Sequence, residues 1–327
     1  MNYIKDRKIV VTGGAGFIGS NLCEALLNIG NEVICFDNFL TGKRENISEF
    51  FENKKFKLFE ADIRNMEDCK KITKGVDIVF HEAALGSVPR SIENPATTNE
   101  ININGFLNIL IACKENNVKR LIYASSSSVY GDHPVLPKVE ENIGKPLSPY
   151  AVTKQVNEMY AKVFSDLYGM EIIGLRYFNV FGKKQDPEGQ YAAAIPKFIK
   201  LLMKGEPPVI YGDGTQSRDF TYVDNVVSAN LLAASSSNAM ALNNVFNIAC
   251  GQKTTLNKLC CILVDLLSAH NKEIKNIKLK YSNERKGDIK DSLASIEKAK
   301  KILGYTPDCD VEKGLEKSIS WYIKNLI

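Results

Sequence analysis

Short apolar runs alternate through the first half of the chain with longer stretches in which apolar residues recur every three to four positions. The runs Lys8–Thr12, Asn31–Phe36, Lys55–Glu60, Val76–Phe80, Arg120–Ala124 and Glu171–Arg176 predict buried strands. Helical periodicity falls between them, over Ser20–Leu27, Met66–Ile72, Thr98–Glu115 and the segment that follows Ser148. Strand and helix in strict alternation imply a parallel sheet covered on both faces, a doubly wound α/β fold. Past Asn179 the pattern becomes mixed. Helices are predicted over Pro196–Met203, after Asp224, over Leu256–Leu267 and twice near the end. Short strands are predicted at Val209–Tyr211, Val245–Ala249 and Ile277–Tyr281. This half reads as a smaller mixed α/β unit for substrate. The expected division is 1–178 with about 220–249 for the sheet, and 179–219 with 250–327 for the second unit.

The ends of the predicted strands carry the polar chemistry. Lys8–Thr12 runs into Gly13-Gly-Ala-Gly16-Phe17-Ile18-Gly19 and then a helix, and the next strand ends at Asp37. Glycines let a backbone approach a pyrophosphate, and a helix N-terminus supplies N–H donors to it. An acid at the Asp37 spacing suits an adenosine ribose and repels a 2′-phosphate, which favours NAD over NADP. Asp62, Ala83, Ser126 and Tyr177 are expected on the same carboxyl edge of the sheet, where such folds bind ligands. Ser148 suits an N-cap and Pro149 a first helical position, so Tyr150 and Lys154 lie one turn apart on one helix face. The Lys154 ammonium is expected to lower the Tyr150 pKa from about 10, giving a proton acceptor near neutral pH.

Composition narrows the class. The chain is 44% hydrophobic and 24% charged, ordinary for a globular protein. Its net charge of +4 comes with no basic run interleaved with aromatics, so no nucleic acid partner is expected. The eight cysteines lack metal-ligand spacing; no metal and free buried thiols are expected. Met1–Lys8 is polar and no apolar run is long enough to span a bilayer, so a cytoplasmic protein without a membrane partner is expected.

Thr12–Gly19, Ser125–Gly131, Tyr150-x-x-x-Lys154 and Arg176-Tyr-Phe-Asn179 together resemble the extended short-chain dehydrogenase/reductase family, and over essentially the full length its UDP-hexose 4-epimerases. The segments Ala84–Ser91, Tyr130–Pro134, Gln185–Pro187 and Tyr191–Pro196 resemble the branch acting on UDP-N-acetylglucosamine and UDP-N-acetylgalactosamine. The resemblance implies a Rossmann-type fold and a tightly held NAD that is not consumed. Its contacts would be Gly13, Gly16, Phe17, Ile18, Gly19, Asp37, Asn38, Asp62, Ile63, Ala83, Lys154 and Tyr177. Tyr150 would be the base on the sugar 4-hydroxyl, Lys154 would tune it, and a serine would bridge to the same hydroxyl. Ser126 takes that role by count from Tyr130, with Ser127 the close alternative.

The resemblance also implies UDP contacts at Asn179, Arg218, Arg285 and Asp288. Val209 and Tyr211 either flank the uracil or pack as ordinary core. Gly86, Ser87, Gln185 and Ala193 match positions lining an acetamido-sugar site, and Ser292 stands where some relatives carry a bulky aromatic. The implied reaction is reversible 4-epimerisation through a 4-keto sugar, with UDP-glucose and UDP-galactose as further substrates. A 4,6-dehydratase would need an acid pair where Ser126–Ser128 stands. A UDP-glucuronate 4-epimerase or decarboxylase would use Arg90 and Ser87 for the carboxylate. A non-catalytic nucleotide sensor would have lost Tyr150 or Lys154. Homodimerisation through the helices near Thr98–Glu115 and Ser148–Tyr168 is implied, although the apolar stripe Ile103, Phe106, Leu107 and Leu110 would serve equally as core.

Overall fold

A computed structural model describes residues 4–186, 194–283 and 290–326. The strands β1 (Lys8–Thr12), β2 (Glu32–Asp37), β3 (Phe56–Glu60), β4 (Ile78–His81), β5 (Arg120–Ser126) and β6 (Glu171–Tyr177) join a seventh, Asn244–Ile248, in one sheet. Its order is Asn244–Ile248, β6, β5, β4, β1, β2, β3, and every pairing is parallel. This is the Rossmann-type doubly wound sheet. The order reverses between β1 and β4, which opens a crevice beyond the strand ends Thr12 and His81.

Alternation along the strands builds two cores. Ile9 and Val11 of β1 point to one face, with Leu22, Leu26, Val226 and Phe246. Val10 points to the other, with Ile34, Phe106, Leu110 and Ile172. Helices Phe17–Asn28 and Val223–Ser235 contribute to the first face, and Gly105–Glu115 and Pro149–Tyr168 to the second. Phe181, Ile195, Phe198, Leu259, Leu263 and Leu315 form a separate apolar cluster in the C-terminal half.

The structure differs from the sequence expectation at three places. The first helix begins at Phe17 rather than Ser20, because Gly16 itself serves as the N-cap. The expected Thr98–Glu115 helix is three pieces: Pro95–Asn99, a π turn over Glu100–Asn104, and Gly105–Glu115. A Cβ at Gly105 would lie 2.5 Å from Ile63 Cδ1, so the helix packs closely on that side chain at the glycine. Of the predicted apolar stripe, Phe106 and Leu110 are wholly buried against the sheet. All eight cysteines are unpaired; Cys261 is exposed and Cys250 half-buried, where buried thiols are expected.

Candidate active site

The turn after β1 is a backbone cradle. Gly13 has φ +66°, and a Cβ there would lie 2.8 Å from the Ala83 backbone. A Cβ on Gly19 would lie 2.1 Å from the Gly13 carbonyl oxygen. The Phe17–Asn28 helix therefore starts directly over the turn, with no side-chain cap on its first N–H groups. Asp37 closes β2, and its carboxylate accepts from the N–H groups of Ala15 at 2.9 Å and Phe39 at 2.8 Å. Burial pushes the Asp37 pKa up against the pull of those N–H groups. Beside it, Asn38 donates to Asp62 at 2.7 Å, and Arg64 hydrogen-bonds Asp62 and holds its carboxyl down at about 2.

The other half of the crevice carries the proton chemistry. Ser148 caps the Pro149–Tyr168 helix through the Ala151 N–H at 3.1 Å, and Pro149 opens it. Lys154 is 2% exposed and donates to the Ala124 carbonyl at 2.7 Å. Its ammonium stands 5.9 Å from the Tyr150 ring centroid. Burial pulls its pKa down to about 8, partly opposed by Glu82 and Glu158. Contrary to the expected lowering, burial raises the Tyr150 pKa, and the hydrogen bond with Ser126 only partly offsets that. The ammonium is engaged by a carbonyl and faces the ring instead of pairing with the phenol oxygen.

Ser126 ends β5, and its Oγ accepts from the Ser128 N–H at 3.1 Å. Ser125 donates to Glu158 at 2.5 Å, and Arg176 forks onto the same carboxylate at 2.8 and 2.9 Å. This buried pair ties β5 and β6 to the helix that carries Tyr150.

These residues line one cavity of about 380 Å³. Its walls include Gly13, Gly16, Phe17, Ile18, Gly19, Asp37, Asn38, Asp62, Ile63, Ala83, Gly86, Ser126, Tyr150, Lys154, Tyr177 and Asn179. A second cavity of about 320 Å³ is lined by Asn179, Val209, Tyr211 and Arg218, with Lys197, Phe198, Gln216 and Phe220. Asn179 and Val180 belong to both. Asn179, at φ +36°, donates to the Asp219 carbonyl, and Arg218 donates to the carbonyl of Ser217 at 2.8 Å.

Ser87, Ser127, Gln185 and Ser292 are on neither wall among the described residues. The Ser87 hydroxyl caps the Val88–Glu93 helix, Gln185 is turned onto Val180 and Tyr322, and the Ser292 N–H donates to Ser217. Ala193, Arg285 and Asp288 lie outside the described residues.

Sequence reasoning passed over Glu82. It lines the first cavity, and one of its carboxylate oxygens is buried without a hydrogen-bond partner. A charged residue directly after an apolar strand on the ligand-binding edge was the available signal.

A glycine cradle under an uncapped helix, an acid after β2 and a buried Tyr-Lys pair fit a bound dinucleotide. The fold and cavity thus define a nicotinamide-dependent enzyme of Rossmann type. Residues 9–249 match the family model described as NAD dependent epimerase/dehydratase family. The chain belongs to that family, among the extended short-chain dehydrogenases/reductases, and NAD is its cofactor.

It is 38% identical to a putative UDP-glucose 4-epimerase of Methanocaldococcus jannaschii, over 97% of this chain and 99% of that one. It resembles the structure of a UDP-N-acetylglucosamine 4-epimerase from Methanobrevibacter ruminantium in complex with UDP-N-acetylmuramic acid, at 44% identity and TM-score 0.91, over 98% and 99% of the two chains. It also resembles a UDP-glucuronic acid 4-epimerase from Bacillus cereus in complex with UDP-glucuronic acid and NAD, at 32% identity and TM-score 0.87, over 97% and 99%. Among the described residues no helix is long and apolar enough to cross a membrane.

Proposed function

We propose that this chain is a UDP-sugar 4-epimerase that interconverts UDP-N-acetylglucosamine and UDP-N-acetylgalactosamine, and also acts on UDP-glucose and UDP-galactose. The observation that carries the reading is the wall shared by the two cavities at Asn179 and Val180. A diphosphate held by Asn179 and Arg218 in the second cavity directs its sugar toward Ser126 and Tyr150 in the first. A guanidinium fork suits a diphosphate, and Tyr211 and Val209 offer a partly apolar seat for a base.

Held over the Gly13–Gly19 turn with Asp37 at its adenosine ribose, a bound NAD would supply reversible hydride chemistry at the sugar C4. Tyr150 accepts the 4-hydroxyl proton, Ser126 positions that hydroxyl, and Lys154 supplies the cation that favours the deprotonated phenol once substrate closes the site. The same phenol returns the proton after the 4-keto sugar has turned over. In this reading residues 1–178 with about 220–249 hold the cofactor, and 179–219 with 250–327 hold the UDP-sugar. The 44% identity to a UDP-N-acetylglucosamine 4-epimerase supports the acetylated substrate.

A second reading, UDP-glucuronate 4-epimerisation, is favoured by the likeness to the Bacillus cereus enzyme. Arg90, four residues beyond the cavity-lining Gly86, would then meet the sugar carboxylate. Incubating the purified chain with UDP-N-acetylglucosamine, without added NAD, tests the first reading. Formation of UDP-N-acetylgalactosamine is expected. Turnover of UDP-glucuronate alone, even with NAD present, would replace it with the second.

The working form in this reading is a cytoplasmic homodimer. The Pro149–Tyr168 helix leaves Val152, Met159, Val163 and Leu167 exposed at helical spacing, a stripe suited to a second copy of itself. Sedimentation of the purified chain tests this.

A further inference from the structure

The crevice has two ends. The glycine turn, Asp37 and Asp62 occupy the side over β1, β2 and β3. Glu82, Lys154, Tyr150 and Tyr177 occupy the side over β4, β5 and β6. A dinucleotide laid across the switch point with its adenosine at Asp37 brings its nicotinamide to the second side.

The orientation of Glu82 follows from its neighbours. Asn230 donates through Nδ2 to the Val226 carbonyl at 3.0 Å, which sets its amide, and through the same nitrogen to the Tyr177 hydroxyl oxygen at 2.8 Å. The Tyr177 O–H must therefore be the donor to Glu82 Oε1, at 2.8 Å. Among the described residues Oε2 is left buried with no partner. Such an orphan is costly unless a ligand completes it. The charged and titratable groups facing Glu82 are Lys154 from the Pro149–Tyr168 helix and Tyr177 from β6. His81, its chain neighbour, turns away to the Thr12 hydroxyl at 2.9 Å.

We propose that Glu82 is the counter-charge of the oxidised cofactor: its free carboxylate oxygen favours the cationic ring of NAD⁺ over the neutral ring of NADH, and so keeps the resting enzyme in the form that starts a turnover. The inference rests on the cofactor placement above. Lys154, of opposite sign in the same cavity, works against Glu82, so the poise of the couple is set by the pair. Burial lifts the Glu82 carboxyl to about 7, so the counter-charge is present above that pH and fades below it.

The test is the midpoint potential of the cofactor on the holoenzyme. It is equilibrated with redox dyes and read from NADH absorbance, relative to free cofactor at the same pH. At pH 8, Glu82→Gln is expected to shift the NADH to NAD⁺ ratio at fixed potential about tenfold toward NADH, about 30 mV for a two-electron couple. At pH 6 the difference between the two proteins shrinks, because the wild-type carboxyl is then protonated. Glu82→Asp keeps the charge and stays near wild type, whereas a role in packing alone would move both variants alike. A Glu82→Gln potential equal to wild type at pH 8, or displaced the other way, overturns the proposal. If the wild-type chain carries no NAD and binds none, the cofactor placement falls and this inference with it.

Discussion

The two cavities share a wall but are built by opposite means. The cofactor side rests on strand ends of one continuous parallel sheet, and its glycines meet backbone. The substrate side is assembled from short pairings between distant segments: Val180–Phe181 with Thr221–Tyr222, Ser217–Arg218 with Thr254–Thr255, and Val209–Tyr211 with Lys280–Ser282. Register over many residues ties the first side together through continuous backbone pairing. The second depends on contacts that are few per pairing, and its side chains hydrogen-bond local carbonyls. A cofactor seat set by a continuous sheet beside a sugar seat of short pairings suits a reaction in which one cofactor face must meet both faces of a turning sugar.

The largest test of this contrast is Tyr150→Phe. Removing the hydroxyl that Ser126 engages should lower epimerisation about a thousandfold, while bound NAD, measured after heat release from the protein, stays near wild type. Equal loss of NAD would mean that the phenol holds cofactor rather than moving a proton.

Glycine substitutions separate the two walls. Alanine at Gly19 drives a Cβ to 2.1 Å from a backbone oxygen. Gly19→Ala should cost about 3 kcal/mol and empty the cofactor site. Gly214, at φ +78°, would instead meet the Asn257 amide at 2.0 Å, a side chain that donates to the Asp213 carbonyl and accepts from the Tyr281 hydroxyl. Gly214→Ala should cost about 2 kcal/mol, from its positive φ and the displaced amide, and leave NAD content unchanged. Denaturant melts and cofactor content measure both.

Neighbouring residues on β4 and its following loop predict opposed pH limbs. Burial pushes the His81 pKa down to about 3, so its stabilising contribution is present above the unfolded value of about 6.5 and is lost as pH falls. Glu82, raised to about 7, contributes most below its unfolded value of about 4.3 and loses that as pH rises. Between these values the two slopes oppose each other. Glu82→Gln should therefore lose stability from pH 6.5 to pH 5 more steeply than wild type. His81→Asn should gain stability over the same interval, in urea titrations at each pH.

The mildest change is Arg218→Ala. It should raise the KM for UDP-sugar about tenfold with little change in NAD content. A matching loss of NAD would mean that the two cavities are not separable.

The sheet and its glycine turn were legible because their causes are local. Apolar runs, Gly16 before a helix and Ser148-Pro149 ahead of Tyr150 each specify a conformation within a few residues. Ser126 could be counted from Tyr130, but that it lines the first cavity while Ser127 does not depends on how β5 packs against the Tyr150 helix. Gln185 and Ser87 carried motif resemblance, yet Ser87 accepts from the Arg90 N–H as a helix cap, and Gln185 donates to the Val180 carbonyl and accepts from the distant Tyr322 hydroxyl. Glu82 was passed over because its neighbours come from β6, a separate helix and a cavity that no stretch of sequence contains.

By itself, then, the sequence determined the order of elements, the cofactor turn and the Tyr-Lys pair, since periodicity, capping and glycine freedom act over one or two turns of chain. The sign of the Tyr150 shift, the carbonyl that engages Lys154 and the unpartnered oxygen of Glu82 came from the folded chain alone. Those depend on desolvation and on which distant groups are brought within hydrogen-bond reach, and neither is a local property of the chain.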